Sequence, residues 1–120
     1  MDNISTNIKT VLERLKGAYA PNTLKSYYAD ATTFVDWCRK RNIEPFPISS
    51  ETLCAYIEYL EQNAAYSSIR RRISSLRRLN KLLGFEDHTR TEEIYLAIRR
   101  LKRSKCVEQR QAVGINHDIL

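Results

Sequence analysis

The chain has 120 residues, a net charge of +6, 42% hydrophobic and 28% charged residues, and only three glycines and three prolines. That length sustains one buried core, and that composition excludes a disordered chain and a turn-rich β-sandwich. The longest apolar runs, Leu53-Cys54-Ala55-Tyr56-Ile57 and Ile94-Tyr95-Leu96-Ala97-Ile98, fall far short of the roughly 20 residues a bilayer requires. The start, Met1-Asp2-Asn3-Ile4-Ser5-Thr6, lacks a secretory signal pattern, so a cytoplasmic protein away from the membrane is expected.

Hydrophobic periodicity near 100° per residue runs through most of the chain and predicts an all-α, compact bundle of four to five helices. The first segment, 4–18, sets Ile4, Ile8, Val11 and Leu15 on one stripe, with Gly17 at its end. The second, 21–42, opens on Pro21, a favoured first helical residue. Leu24, Tyr27, Tyr28, Ala31, Phe34, Val35 and Cys38 share its apolar arc, and Asn22, Ser26, Ala29 and Thr33 its opposite face. Trp37 falls at the edge of that stripe and is expected beneath the following loop. Pro45 and Pro47 break the helix. Ser49 or Ser50 should start a third one, with Glu51 in its first turn and Leu53, Ile57 and Leu60 inward.

The fourth segment, 67–83, aligns Ile69, Ile73, Leu76, Leu79 and Leu83, and Gly84 suits the residue just past its end. Its far side holds Ser67, Arg70, Arg71, Ser74, Arg77, Arg78 and Lys81. Arg72 departs from this division and projects near the apolar arc, either paired with a carboxylate or at the edge of the core. Thr89-Arg90-Thr91-Glu92 has the capping-box spacing for a fifth helix. Ile94, Ala97, Ile98 and Leu101 form one face of it, while Tyr95 and Leu96 point elsewhere. The pattern is lost from Lys105 onward.

The positive charge is unevenly placed. Residues 66–105 hold twelve Lys or Arg against four Asp or Glu, a balance of +8, and the remainder balances to −2. Such asymmetry points to a polyanion partner. Arginine offers phosphates and guanine edges a planar fork, serine donates to phosphate oxygens, and a helix N-terminus near Ser67 adds backbone N–H groups. Enzymatic chemistry is not visible: there is no phosphate-cradling glycine loop and no HExxH pair. Cys38, Cys54 and Cys106 form an odd, scattered set without histidine neighbours, read as neutral thiols with no metal. No cofactor is expected.

Pro21-Asn22-Thr23-Leu24-Lys25-Ser26-Tyr27, followed by Phe34-Val35-Asp36-Trp37-Cys38, resembles the opening of the tyrosine recombinases of the phage integrase class. The proline-broken loop to Ile48 and then Leu53-Cys54-Ala55-Tyr56-Ile57-Glu58-Tyr59-Leu60 continue the match. Tyr66-Ser67-Ser68-Ile69-Arg70-Arg71-Arg72-Ile73-Ser74-Ser75-Leu76 and Ile98-Arg99-Arg100-Leu101-Lys102-Arg103 complete it. Trp37-Cys38 and Tyr59-Leu60 look like the Cre-like members. Ala20, where relatives often carry a capping serine, and the row Arg70-Arg71-Arg72 depart from that pattern.

The resemblance implies an N-terminal, SAM-like core-binding domain over 1–104, with 105–120 as linker and start of an absent catalytic domain. It implies one half of a clamp on double-stranded DNA at the core recombination site, in a cytoplasmic, nucleoid-associated protein of bacterial or mobile-element origin. The DNA-binding positions it marks are Thr23, Lys25, Ser26, Ser67, Ser68, Arg70 and Arg71, with Arg99, Lys102 and Arg103 of the fifth segment as phosphate contacts, joined by Arg78 and Lys81 from the basic side of the fourth segment. Tyr95 and Leu96 would meet other recombinase protomers, the isolated domain being monomeric. His88-Thr89-Arg90 is not the family's HxxR, and none of the seven tyrosines stands in the nucleophile's context, so no catalytic residue is assigned. Two other readings stay open from the residues: a helix-turn-helix transcriptional regulator, and a helical protein-interaction module.

Overall fold

A computed structural model of the protein describes the backbone of residues 3–119 and the side chains of residues 6–106. Its five helices are α1 (Asn3–Arg14), α2 (Pro21–Arg39), α3 (Ser50–Glu61), α4 (Tyr66–Leu82) and α5 (Glu92–Ile119), and the described residues contain no β-strand. The all-α bundle expected from periodicity is what forms.

Local chemistry sets the helix ends. α1 stops at Arg14, four residues before the expected end, because Gly17 sits at φ 88 and the Ala18 and Tyr19 amides turn back to donate to Leu15 O. α2 likewise stops at Arg39, short of Asn42. Asn42 takes φ 57, a conformation that asparagine tolerates better than most, and the Ile43 amide donates to Cys38 O at 2.9 Å. Ser49 caps α3 as expected, accepting from the Thr52 amide at 3.0 Å. α4 closes in a Schellman motif: Gly84 at φ 96 donates to Lys81 O, and Phe85 donates to Asn80 O.

The start of α5 differs from the capping-box expectation. Thr91 is the cap, with Oγ1 accepting from the Ile94 amide at 3.3 Å. Thr89, the expected cap, is buried against α4 instead, because a half-buried arginine there needs its oxygens. The backbone of α5 also continues to Ile119, beyond Lys105 where the apolar pattern ends. The stretch 111–119, within the 105–120 expected as a linker, is therefore helical in backbone. It has no interrupting proline.

The core joins all five helices. Phe34 is fully buried and meets Tyr56 edge-on at 5.0 Å and Phe46 at 5.9 Å, arrangements that aromatic quadrupoles favour. Trp37 is buried beside Tyr56 and Tyr59, and Arg41 of the next turn lies over the indole at 4.5 Å. Asn80 is a buried hub: its Oδ1 accepts from the Ile48 amide at 3.1 Å and its Nδ2 donates to Glu86 O at 2.9 Å. The loop before α3 and the loop after α4 are thereby pinned to one side chain.

α2 and α4 pack antiparallel. Tyr19, just ahead of α2, meets Arg78 near the end of α4, whereas Asp30 meets Arg71 and Ser75 nearer its start. α3 and α5 are joined at their starts, where Ser50 Oγ reaches Thr91 Oγ1 at 2.8 Å and Glu93 Oε1 at 3.1 Å.

Candidate nucleic-acid interface

α4 is a ridge with a crest and two flanks. A turn of about 100° per residue places Ser67, Arg70, Ser74 and Lys81 along the crest, and all four are exposed. Arg71 and Arg78 lie on the flank toward α2, and Arg77 on the flank toward α5. Ile69, Ile73, Leu76 and Leu79 are buried beneath as expected, while Leu83 at the C-cap and Arg77 on the expected polar side are both half-buried.

The flanking arginines are held by neighbours. Asp30 is buried in α2, and its carboxylate accepts from Arg71 Nη2 at 2.9 Å, from Arg71 Nε at 3.4 Å and from Ser75 Oγ at 2.9 Å. Arg78 gives both Nε and Nη2 to the Tyr19 hydroxyl, which reinforces its positive charge, and lies against the same ring. On the other flank, Arg77 Nε donates to Thr89 Oγ1 and Arg77 Nη2 to Thr89 O, each at 2.9 Å. Burial pulls the Arg77 pKa down, and Arg90 and Arg70 pull it further.

Thr89 in turn gives its amide and hydroxyl to Asp87, whose other oxygen takes Arg90 Nε at 3.1 Å. Burial opposes ionisation of Asp87. The Thr89 and Arg90 bonds and the nearby Arg77 charge outweigh it and hold the carboxyl below its usual range. Arg77, placed on the polar side by periodicity, thus works inward as a clasp on the α4–α5 loop.

Arg72 lies at the edge of the core, one of its two expected placements. It is half-buried near the Tyr56 hydroxyl, yet among the described residues neither Arg72 Nε nor Tyr56 Oη completes a hydrogen bond. Burial raises the Tyr56 pKa against the pull of that guanidinium.

Between α4 and α5 runs a cleft of about 1030 Å³ that Arg70, Arg99, Lys102 and Arg103 border. Arg99 is braced by the Tyr95 hydroxyl at 3.1 Å. The structure thus gathers Ser67, Arg70, Arg71, Arg78 and Lys81 on one ridge, with Arg99, Lys102 and Arg103 across the cleft. Ser68, Thr23 and Ser26 are half-buried. Lys25 stands apart, about 140° round the α2 axis from Asp30, in a shallow apolar groove with Leu24 and Tyr28. Tyr95 and Leu96 are exposed at 54% and 40%.

The N-caps of α2 and α4, Ala20 and Ala65, supply no side-chain hydrogen bond, which leaves first-turn amides without a cap acceptor. Among the described residues no cluster of three or more His, Cys, Asp or Glu could hold a metal, and no helix is long and apolar enough to cross a membrane. Cys38 is buried and its thiol is pushed up to about 12 by burial.

Against this geometry, the model of the family "Phage integrase, N-terminal SAM-like domain" matches residues 11–86. This chain belongs to that family. It is also 33% identical over 84 residues to an integrase/recombinase xerD homolog of Selenomonas ruminantium. The aligned part is 70% of this chain and 24% of that relative, so the chain matches about a quarter of that relative's length. The 11–86 match runs from α1 through the ridge of α4 to the Schellman turn, and α5 lies beyond it.

Three residues that position this face were not singled out from sequence: Asp30, Tyr19 and Thr89 as an arginine acceptor. Asp30 carried a weak signal, since it sits at the edge of the α2 apolar arc next to Ala31. Tyr19 lies outside every periodic segment, and its role depends on a tertiary contact.

Proposed function

We propose that this chain is the DNA-gripping domain of a site-specific tyrosine recombinase, holding double-stranded DNA at the core recombination site without cutting it. One observation carries the reading: the crest of α4 presents Ser67, Arg70, Ser74 and Lys81 to solvent between arginines fixed in place by neighbouring elements. A helix of this width fits the major groove, and the uncapped first turns of α2 and α4 would receive phosphates. Lys81, Lys102 and Arg103, with no described carboxylate partner, act as phosphate contacts, as does Lys25 from its separate position. Thr23, Ser26, Ser67 and Ser68 contribute hydroxyls. Residues 1–104 form this domain, and 105–120 form the connection toward a catalytic half. Tyr95 and Leu96 face other protomers of the synaptic complex.

The test is a titration of the chain with mixed-sequence duplex DNA at several salt concentrations. Neutralising about four to six phosphates gives a log–log slope of about −4 to −5. Lys81→Ala and Arg103→Ala should each weaken all sequences alike and flatten that slope by about one unit. With nicked or suicide substrates no covalent adduct should form. An absent salt dependence, or slopes untouched by both substitutions, refutes the reading.

A further inference from the structure

We propose that Asp30 is a positioning residue that turns Arg71 from a phosphate contact into a reader of base edges, and so sets sequence preference. The inference rests on the DNA-gripping reading above. Asp30 is 4% exposed, while the Arg71 side chain is 53% exposed, so the carboxylate is hidden and the guanidinium faces out. The pair is nearly neutral as a unit. A phosphate contact earns its affinity by charge, through counterion release, and a neutralised arginine contributes little of that.

Direction remains. Of the five N–H groups on a guanidinium, Asp30 takes one from Nε and one from Nη2. The distal fork, formed by Nη1 and the second Nη2 hydrogen, is left unbonded among the described residues and is fixed in orientation. That fork has the spacing to meet two adjacent acceptors, the O6 and N7 edge of guanine being the best match in the major groove. Ser75 completes the device by bonding the carboxylate from below, which leaves Asp30 little freedom to release Arg71. Arg70, one position earlier on the crest, has no described carboxylate partner and keeps its charge for phosphates.

The charge argument predicts opposite signs for two measurements on one variant. A randomised duplex library selected with the wild-type chain supplies a preferred duplex, and a mixed-sequence duplex is the reference. Asp30→Asn releases the arginine charge, so mixed-sequence binding should strengthen and its salt slope should steepen by about one unit. Discrimination at one G·C position should meanwhile fall about tenfold. Arg71→Lys keeps a charge beside Asp30 but has no fork, so the slope should stay near wild type while that discrimination is lost. It also guards against a folding defect in Asp30→Asn.

A merely structural Asp30 would weaken both duplexes together and lower the melting temperature. That result, or full discrimination retained in Arg71→Lys, overturns the proposal. A selection that yields no preferred base also overturns it while leaving the DNA-gripping reading intact. Failure of the wild-type chain to bind any duplex at 50 mM salt would instead remove the underlying reading.

Discussion

Thr89→Val is the sharpest probe of how the α4–α5 side of the interface is held. The substitution keeps shape and burial but deletes the hydroxyl that accepts from Arg77 Nε and donates to Asp87. Hydrogen bonds to charged groups contribute about 1.5–3 kcal/mol each, and among the described residues the half-buried Arg77 then keeps only its bond to Thr89 O. A destabilisation of about 2–4 kcal/mol follows. An unfolding entropy of about 2.1 cal/mol/K per residue makes that a fall in Tm of about 8–16 °C for a domain this size. Thermal denaturation followed by far-UV circular dichroism at pH 7 measures it, with Thr89→Ser as the control that keeps the hydroxyl.

Acid supplies a second handle on the same variant. The folded state holds the Asp87 proton less tightly than the unfolded chain does. Its stabilisation is therefore present above the unfolded pKa, about 4, and is lost as pH falls through the depressed folded value. Without Thr89 Oγ1 part of that depression disappears, so the gap between wild type and Thr89→Val should narrow below about pH 4. A Tm change under about 2 °C at pH 7, against the entropy scale just given, would refute the clasp.

Arg72→Met should raise Tm by a few degrees, because it removes a buried Nε that has no partner among the described residues while keeping the length of the stem; a fall in Tm would show that the charge is needed. Gly84→Ala meets no atom within 4 Å of the new Cβ, so its cost is backbone strain alone, about 1–2 kcal/mol at φ 96, read in the same melting assay. Leu96→Lys, at an exposed position, should leave the melting of the isolated chain unchanged. It should weaken cooperative assembly on DNA of a longer recombinase carrying this domain, as sedimentation would report.

Elements built on local rules were legible in the sequence. Ile69, Ile73, Leu76 and Leu79 repeat at helical spacing, Ser49 is followed by a helix-forming run, and Gly84 follows the last turn of α4. Each of these needs only near neighbours. The start of α5 was less legible because spacing favours Thr89, with Glu92 three residues on, whereas the cap is Thr91, followed at that distance by Ile94. Arg77, twelve residues upstream, decides between them by occupying Thr89.

The same limit applies at the interface. Periodicity separated the polar side of α4 from its core side, yet all its arginines look alike in a one-dimensional pattern. What distinguishes Arg71, Arg77 and Arg78 is the chemistry opposite each: a carboxylate, a threonine and a phenol, brought in by α2, the α4–α5 loop and the α1–α2 turn. Those pairings span between 12 and 59 positions of sequence.

Asn80 makes two loops exchangeable only as a pair. Its amide must accept from one and donate to the other, a division of labour that aspartate, lacking the donor, and leucine, lacking both, cannot reproduce. Glutamine would displace both bonds by a methylene. A lengthened turn before α3 therefore disturbs the turn after α4, although more than thirty residues separate them along the chain. Grafting between relatives should respect that bond: segment 43–49 carries over intact when residue 80 and segment 84–87 travel with it.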